Sequence, residues 1–136
     1  MAVDDNALLL KQLDHAQAII QRLASNSFLL KGWAVTIVSA FVALALKDPK
    51  PAPSVAYLAA VPSLIFWLLD GYYLAMERAF RVQYRTALVD GTGLLEAPTL
   101  QIAQWRRATL SWQTSLIYVG LLIISVVIGS AGDHLR

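Results

Sequence analysis

Three long apolar runs constrain this chain more than anything else in it. The first spans roughly Phe28 to Leu46 and is interrupted only by Lys31. The second spans Val55 to Met76 and is interrupted by Asp70. The third spans Thr114 to Ala131 and carries no charge. At about 1.5 Å per residue, segments of this length reach roughly 27 to 33 Å, and a bilayer's hydrocarbon core is ~30 Å thick. Backbone groups inside lipid find no water, so each run must close its own hydrogen bonds as a helix. A transmembrane β-barrel would alternate apolar and polar residues, and these runs are continuous. The expected fold is an all-α membrane protein with three transmembrane helices, an N-terminal amphipathic cytoplasmic helix and a long cytoplasmic extension of the second span. As one domain it divides into a helix over 1–27, spans over 28–46 and 55–76, a cytoplasmic helical connection over 77–113 and a third span over 114–131.

Composition agrees. Of 136 residues, 57% are hydrophobic and 15% charged, against about 25% charged in a typical soluble domain. Three such apolar stripes in a soluble bundle would leave too little polar surface to cover them. The chain has no cysteine, which excludes disulfides and thiolate metal sites. The net charge of +2 is small, and no basic stripe interleaved with aromatics points to nucleic acid. The first charges are acidic and the first long apolar run begins only near Phe28, so no cleaved signal is expected and the first span would direct insertion.

The segment Lys47-Asp48-Pro49-Lys50-Pro51-Ala52-Pro53-Ser54 reads as a short, stiff, extended turn, since proline fixes φ and removes a donor. It would hold the first two spans as an antiparallel hairpin. Pro62 should kink the second span, because the Leu58 carbonyl loses its donor. Eight basic residues (Lys11, Arg22, Lys31, Arg78, Arg81, Arg85, Arg106 and Arg107) lie on one side of the spans and three (Lys47, Lys50 and Arg136) on the other. The positive-inside bias then puts the N-terminus and the long connection in the cytoplasm and the C-terminus outside.

Before the first span, Leu9, Leu13, Ala16, Ile20 and Leu23 form a narrow helical stripe that needs a partner helix, with Asp4 or Asp5 able to cap its start. Beyond the second span, helix formers continue to about Val89, and Asp90-Gly91-Thr92-Gly93 should break the helix. Pro98 suits a first helical position, so a helix is expected to restart there and run through Trp105, Arg106, Arg107 and Trp112 into the third span. Trp105 and Trp112, seven apart, would share a face at interfacial depth.

Asp70 is the most informative single residue. A carboxylate inside a span costs a few kcal/mol unless it is paired or hydrated. Lys31, a few residues inside the same end of the neighbouring antiparallel span, is its natural partner. The two form either a structural pair or a gate, and both can hold. Arg78, Arg81 and Arg85 lie on one helical face past the second span, with Glu77 spaced to pair with Arg81. The row would snorkel to anionic headgroups or form a cytoplasmic mouth for an anionic ligand or partner. Ser39 with Ala43, and Ser125 with Gly129, have the small-xxx-small spacing of close helix contacts, expected within the chain rather than as a dimer seam. His15 and His134 fall on opposite sides of the predicted membrane, so metal ligation is not expected. Gly91-Thr92-Gly93 lacks the residues of a phosphate loop, and no carboxylate pair converges for acid–base work. No cofactor and no catalytic residue are expected.

The stretch Ile20-Gln21-Arg22-Leu23-Ala24-Ser25-Asn26-Ser27-Phe28-Leu29-Leu30-Lys31-Gly32-Trp33, with Phe66-Trp67-Leu68-Leu69-Asp70-Gly71-Tyr72-Tyr73-Leu74 and Glu77-Arg78-Ala79-Phe80-Arg81-Val82-Gln83-Tyr84, resembles small bacterial multi-span transmembrane effectors associated with antiphage defence. The resemblance covers about the first 85 residues, and the third span and the stretch from Asp90 to Trp112 lie outside it. It implies a homo-oligomeric inner-membrane protein that disturbs the bilayer when triggered by a nucleotide second messenger or a partner defence protein. Read without it, the same chain could be a non-conducting adaptor that recruits a soluble partner, with a small transporter and then a membrane enzyme further behind.

Overall fold

A computed structural model describes residues 2–47, 53–91 and 97–134. All the regular structure in them is helical: α1 Ala2–Ala45, α2 Pro53–Leu58, α3 Ala60–Asp90, α4 Ile102–Thr109 and α5 Trp112–His134. Three segments are long and apolar enough to cross a membrane, within Asn6–Ala45, Pro53–Asp90 and Trp112–His134. Most of the proline-rich turn lies outside the described residues.

The first helix is one continuous rod of 44 residues, about 66 Å long, rather than a cytoplasmic helix followed by a span. It already begins at Ala2, so Asp4 and Asp5 lie within it rather than before it. Its principal neighbour is α3. The expected N-terminal stripe faces inward: Leu13 and Ala16 are buried, and Leu9, Ile20 and Leu23 are half-buried. The far half of α3 supplies the partner helix, where the Gln17 amide donates to the Tyr84 hydroxyl at 3.2 Å.

The second span does more than kink. The helix is interrupted at Ala59, one residue past Leu58, the residue whose carbonyl loses its donor to Pro62. A tightened bond from the Ala59 amide to the Ala56 carbonyl (3.2 Å) closes the joint. At the other end α3 stops at Asp90, and Gly91 takes the left-handed conformation (φ 63°) that favours glycine and ends helices.

The core is built from small side chains. Ala34, Val38, Ala59, Tyr118 and Leu121 form its centre, with Phe41, Phe66, Trp67 and Ile117 around them. Lipid tails are as apolar as leucine, so helices in a bilayer gain by close approach and internal polar contacts rather than by hiding large apolar groups. Gly129, with Ser125 one turn away, shows this: both are buried, and a Cβ at Gly129 would meet the Tyr57 ring from α2. The Tyr57 hydroxyl then donates to Asp133 at 2.9 Å. Ser39 and Ala43, expected to pack within the chain, instead face outward. The buried face of α1 is set by Ala34, Val38 and Ala45, nearly opposite them.

The return to the third span departs from expectation. Pro98 does not start a helix. Ala97 to Leu100 are irregular, and α4 begins at Ile102 because Gln101 and Gln104 cap it reciprocally, with the Gln101 amide donating to Gln104 Oε1 at 3.3 Å. Gln101→Ala should remove about 1 kcal/mol of α4 stability, read as earlier proteolytic cutting between Ala97 and Arg107 with the spans intact. Nor does α4 run into α5. Leu110 and Ser111 break the helix, and hydroxyls serve the freed carbonyls. Ser111 Oγ donates to Ala108 O at 2.6 Å, and Thr114 Oγ1 sits 2.8 Å from Thr109 O and 2.9 Å from Ala108 O. The break separates the two tryptophans. The Trp105 indole donates inward to Leu68 O at 3.1 Å, whereas Trp112 is 75% exposed.

Candidate functional site: a buried ion pair joining the spans

Lys31 and Asp70 meet. Lys31 Nζ lies 2.6 Å from Asp70 Oδ2, and the Asp70 side chain is wholly buried while that of Lys31 is 20% exposed. Their meeting follows from the hairpin register, since Lys31 precedes the 47–54 connection by as many residues as Asp70 follows it. Two further groups complete the arrangement. Ser27, one turn before Lys31 on α1, donates its hydroxyl to Asp70 Oδ1. It also accepts from Lys31 Nζ at 2.8 Å. From α5, the Tyr118 hydroxyl faces the same carboxylate without reaching hydrogen-bond geometry. Side chains from all three spans thus converge on one anion.

The site sits near one edge of the apolar slab rather than at its centre. Lys31, Asp70 and Tyr118 lie about 14 to 17 residues, roughly 21 to 26 Å, from the span ends at Ala45, Pro53 and His134. Exposed aromatics mark that edge: Phe28, Trp33, Tyr72 and Trp112 ring the bundle at this level, where amphipathic rings settle at a membrane–water boundary. Past the edge, α1 and α3 continue together as a two-helix extension.

Helix α4 docks at the same level. Gly71, next to Asp70, receives Thr109 so closely that any Cβ there would collide with the threonine side chain and backbone. The Trp67 indole fixes the contact by donating to Thr109 O at 2.8 Å.

The four residues expected at a mouth are placed on the extension. Glu77 and Arg81 form the expected pair, with Arg81 Nη2 2.7 Å from Glu77 Oε1. The three arginines border two grooves. Arg81 and Arg85 border a groove against α1 with Gln17 and Gln21, whereas Arg78 turns toward α4, borders a groove with Arg107 and donates to Gln113 Oε1 at 3.2 Å. The row is a ridge between two grooves.

No family model matches this chain, and neither a curated protein nor a solved structure shows significant similarity to it. The site therefore stands on its geometry. Among the described residues, no group of three or more His, Asp or Glu is assembled for a metal ion. His15 and His134 are both exposed. What the arrangement can do is hold three helices in register through a charge interaction that is strong in low dielectric and has two states, paired or parted. Ser27, Tyr118, Thr109 and Arg107 were missed in the sequence. Ser27 carried a usable signal, standing i, i−4 to Lys31. The others depend on the course of the chain after Asp90.

Proposed function

We propose that this protein is a homo-oligomeric effector of the bacterial inner membrane that permeabilises or depolarises the bilayer when triggered, in the setting of antiphage defence. The observation that carries the reading is the Lys31–Asp70 pair, a separable charge contact that ties α1 to α3 inside the bundle. Parting the pair would free the spans to re-pack and would place two polar groups on surfaces that then seek water or another copy. A single copy has only three spans packed around this pair, so a conducting path must form between copies. The outward face of α1 supports such association: Gly32, Thr36, Ser39 and Ala43 are exposed and small, leaving room for a second helix. The defence setting comes from the resemblance over the first 85 residues, and the cytoplasmic N-terminus from the charge bias. Glu77, Arg78, Arg81 and Arg85 would form the cytoplasmic mouth, where a nucleotide second messenger or a partner defence protein would act.

Expression in bacteria should collapse the signal of a potential-sensitive dye, and Asp70→Asn should change the extent of that collapse while insertion is retained. Unchanged depolarisation by a fully inserted Asp70→Asn protein would remove the switch.

One observation favours a second reading, a non-conducting adaptor. The two-helix extension exposes Leu8, Leu10, Val82, Leu88 and Val89, more apolar surface than a bare stalk needs. Flux from liposomes separates the two readings, as does oligomeric state in nanodiscs. A ring of four or more copies with leak supports the effector; a tight monomer or dimer that captures a soluble partner supports the adaptor.

A further inference from the structure

The groove between α3 and the segment from Pro98 to Arg107 has a composition that the ion pair does not explain. It is a cavity of about 420 Å³ with two guanidinium groups, Arg78 and Arg107, on its wall. Neither arginine has an acidic partner among the described residues; Arg78 reaches only the neutral Gln113. Thr99 and Gln104 add neutral donors, since Gln104 uses its oxygen in the α4 cap and keeps its amide N–H groups free of that bond. Apart from Gln83, the remaining wall is apolar, with Ala79 and Val82 among it. No carboxylate lines the groove among the described residues.

Depth decides what such a groove would meet. Arg78 follows Pro53 by 25 residues, roughly 37 Å of helix, which is one hydrocarbon thickness of ~30 Å plus part of a headgroup layer. Exposed Tyr72 and Trp112 mark the boundary just below it. Arginine's planar fork matches the oxygens of a phosphate and binds them in pairs, and two forks with no acidic partner among the described residues suit a phosphate diester. An apolar wall beside them suits the glycerol and first methylenes of a lipid, and would be poorly used by a free anion.

We propose that this groove is a built site for the phosphate of an anionic phospholipid, held between Arg78 and Arg107. Bound lipid would bridge α3 and α4, and so fasten α4 to the bundle. The site goes beyond the effector reading and does not depend on whether the protein conducts.

The test uses the full-length protein purified in a zwitterionic detergent. Phosphatidylglycerol, phosphatidylcholine or inorganic phosphate is added, and lipid retention by native mass spectrometry and the thermal midpoint are followed. Phosphatidylglycerol should be retained and should raise the midpoint of the wild type and of Arg106→Gln, whose side chain lies outside the groove. Retention by the Arg78→Gln/Arg107→Gln protein should fall at least about tenfold, the loss expected when paired charge-assisted bonds are removed. If that protein fails to insert, Arg78→Lys/Arg107→Lys carries the test. It keeps both charges but loses the forks, so its retention should fall between the other two. Equal retention by wild type and the glutamine pair, or by wild type and the lysine pair, would overturn the site. Stabilisation by inorganic phosphate with none added by phosphatidylglycerol would overturn the lipid as its occupant. These readouts are binding and stability, so a failure of the leak leaves them intact, and their failure leaves the leak untouched.

Discussion

Lys31→Met is expected to destabilise the folded protein by about 3–5 kcal/mol, because it strands a carboxylate that has no access to water. Asp70 is fully buried, and without the ammonium it keeps only the Ser27 hydroxyl as a donor among the described residues. The reverse deletion should be milder. Asp70→Asn leaves Lys31, whose side chain is already one-fifth exposed near the aromatic ring and can extend its ammonium toward the boundary. A cost of about 1–2 kcal/mol is expected there, the cost of an imperfectly paired polar group. The double variant Lys31→Met/Asp70→Leu should return close to wild type, since apolar residues of similar volume remove the desolvation penalty together with the attraction. Unfolding by SDS titration in mixed micelles ranks the wild type and the three variants. Equal losses in the two single variants would show that Lys31 is as deeply trapped as Asp70. A double variant as unstable as Lys31→Met would show that Ser27 and Tyr118, not the pair, hold the spans. The same double variant bears on function: if pairing is the switch, a protein that is stable with no pair to part should no longer respond to its trigger.

Gly71→Val is expected to undock α4. The neighbour that a Cβ would meet at Gly71 includes the Thr109 backbone as well as its side chain, so no rotamer change relieves the clash. Forced overpacking of this kind typically costs about 1–3 kcal/mol, and a backbone neighbour puts it at the upper end. The least costly relief is for α4 to move, which breaks the bonds from Trp67 to Thr109 O and from Trp105 to Leu68 O. The chain's other two tryptophans, Trp33 and Trp112, are exposed and report on neither bond. With those two changed to phenylalanine, the emission of Gly71→Val should shift to the red and become open to an aqueous quencher, while helix content by circular dichroism holds. An unshifted spectrum would mean that the bundle yields elsewhere and that α4 is more firmly seated than these contacts require. Thr109→Ala in the Gly71→Val background should restore little, because the backbone part of the clash remains.

The two variants divide what was legible in the sequence from what was not. Three spans followed from continuous apolar runs, because a bilayer imposes length and internal hydrogen bonding on any segment that crosses it. The end of α3 at Asp90 followed from a glycine that takes a left-handed turn, and the interruption near Leu58 from a proline that removes a donor. The Lys31–Asp70 pair was legible for a related reason. A short connection fixes the register of an antiparallel hairpin, and lipid offers a buried acid no partner but one on a neighbouring helix. Each of these is a rule acting over one helix or one turn.

The remainder was decided by how the chain returns after Asp90. Nothing local says that Thr109 reaches Gly71, that Tyr118 faces Asp70, or that the Trp105 indole turns inward while Trp112 turns out. Those contacts join residues about 40 to 50 positions apart. They depend on a helix break at Leu110 and Ser111, which the hydroxyls of Ser111 and Thr114 make tolerable once the helices are already packed. For the same reason the arginine row looked like a single face in the sequence and became the ridge between two grooves. Helical spacing fixes where side chains leave their own helix, and only the packed neighbours fix what each one meets.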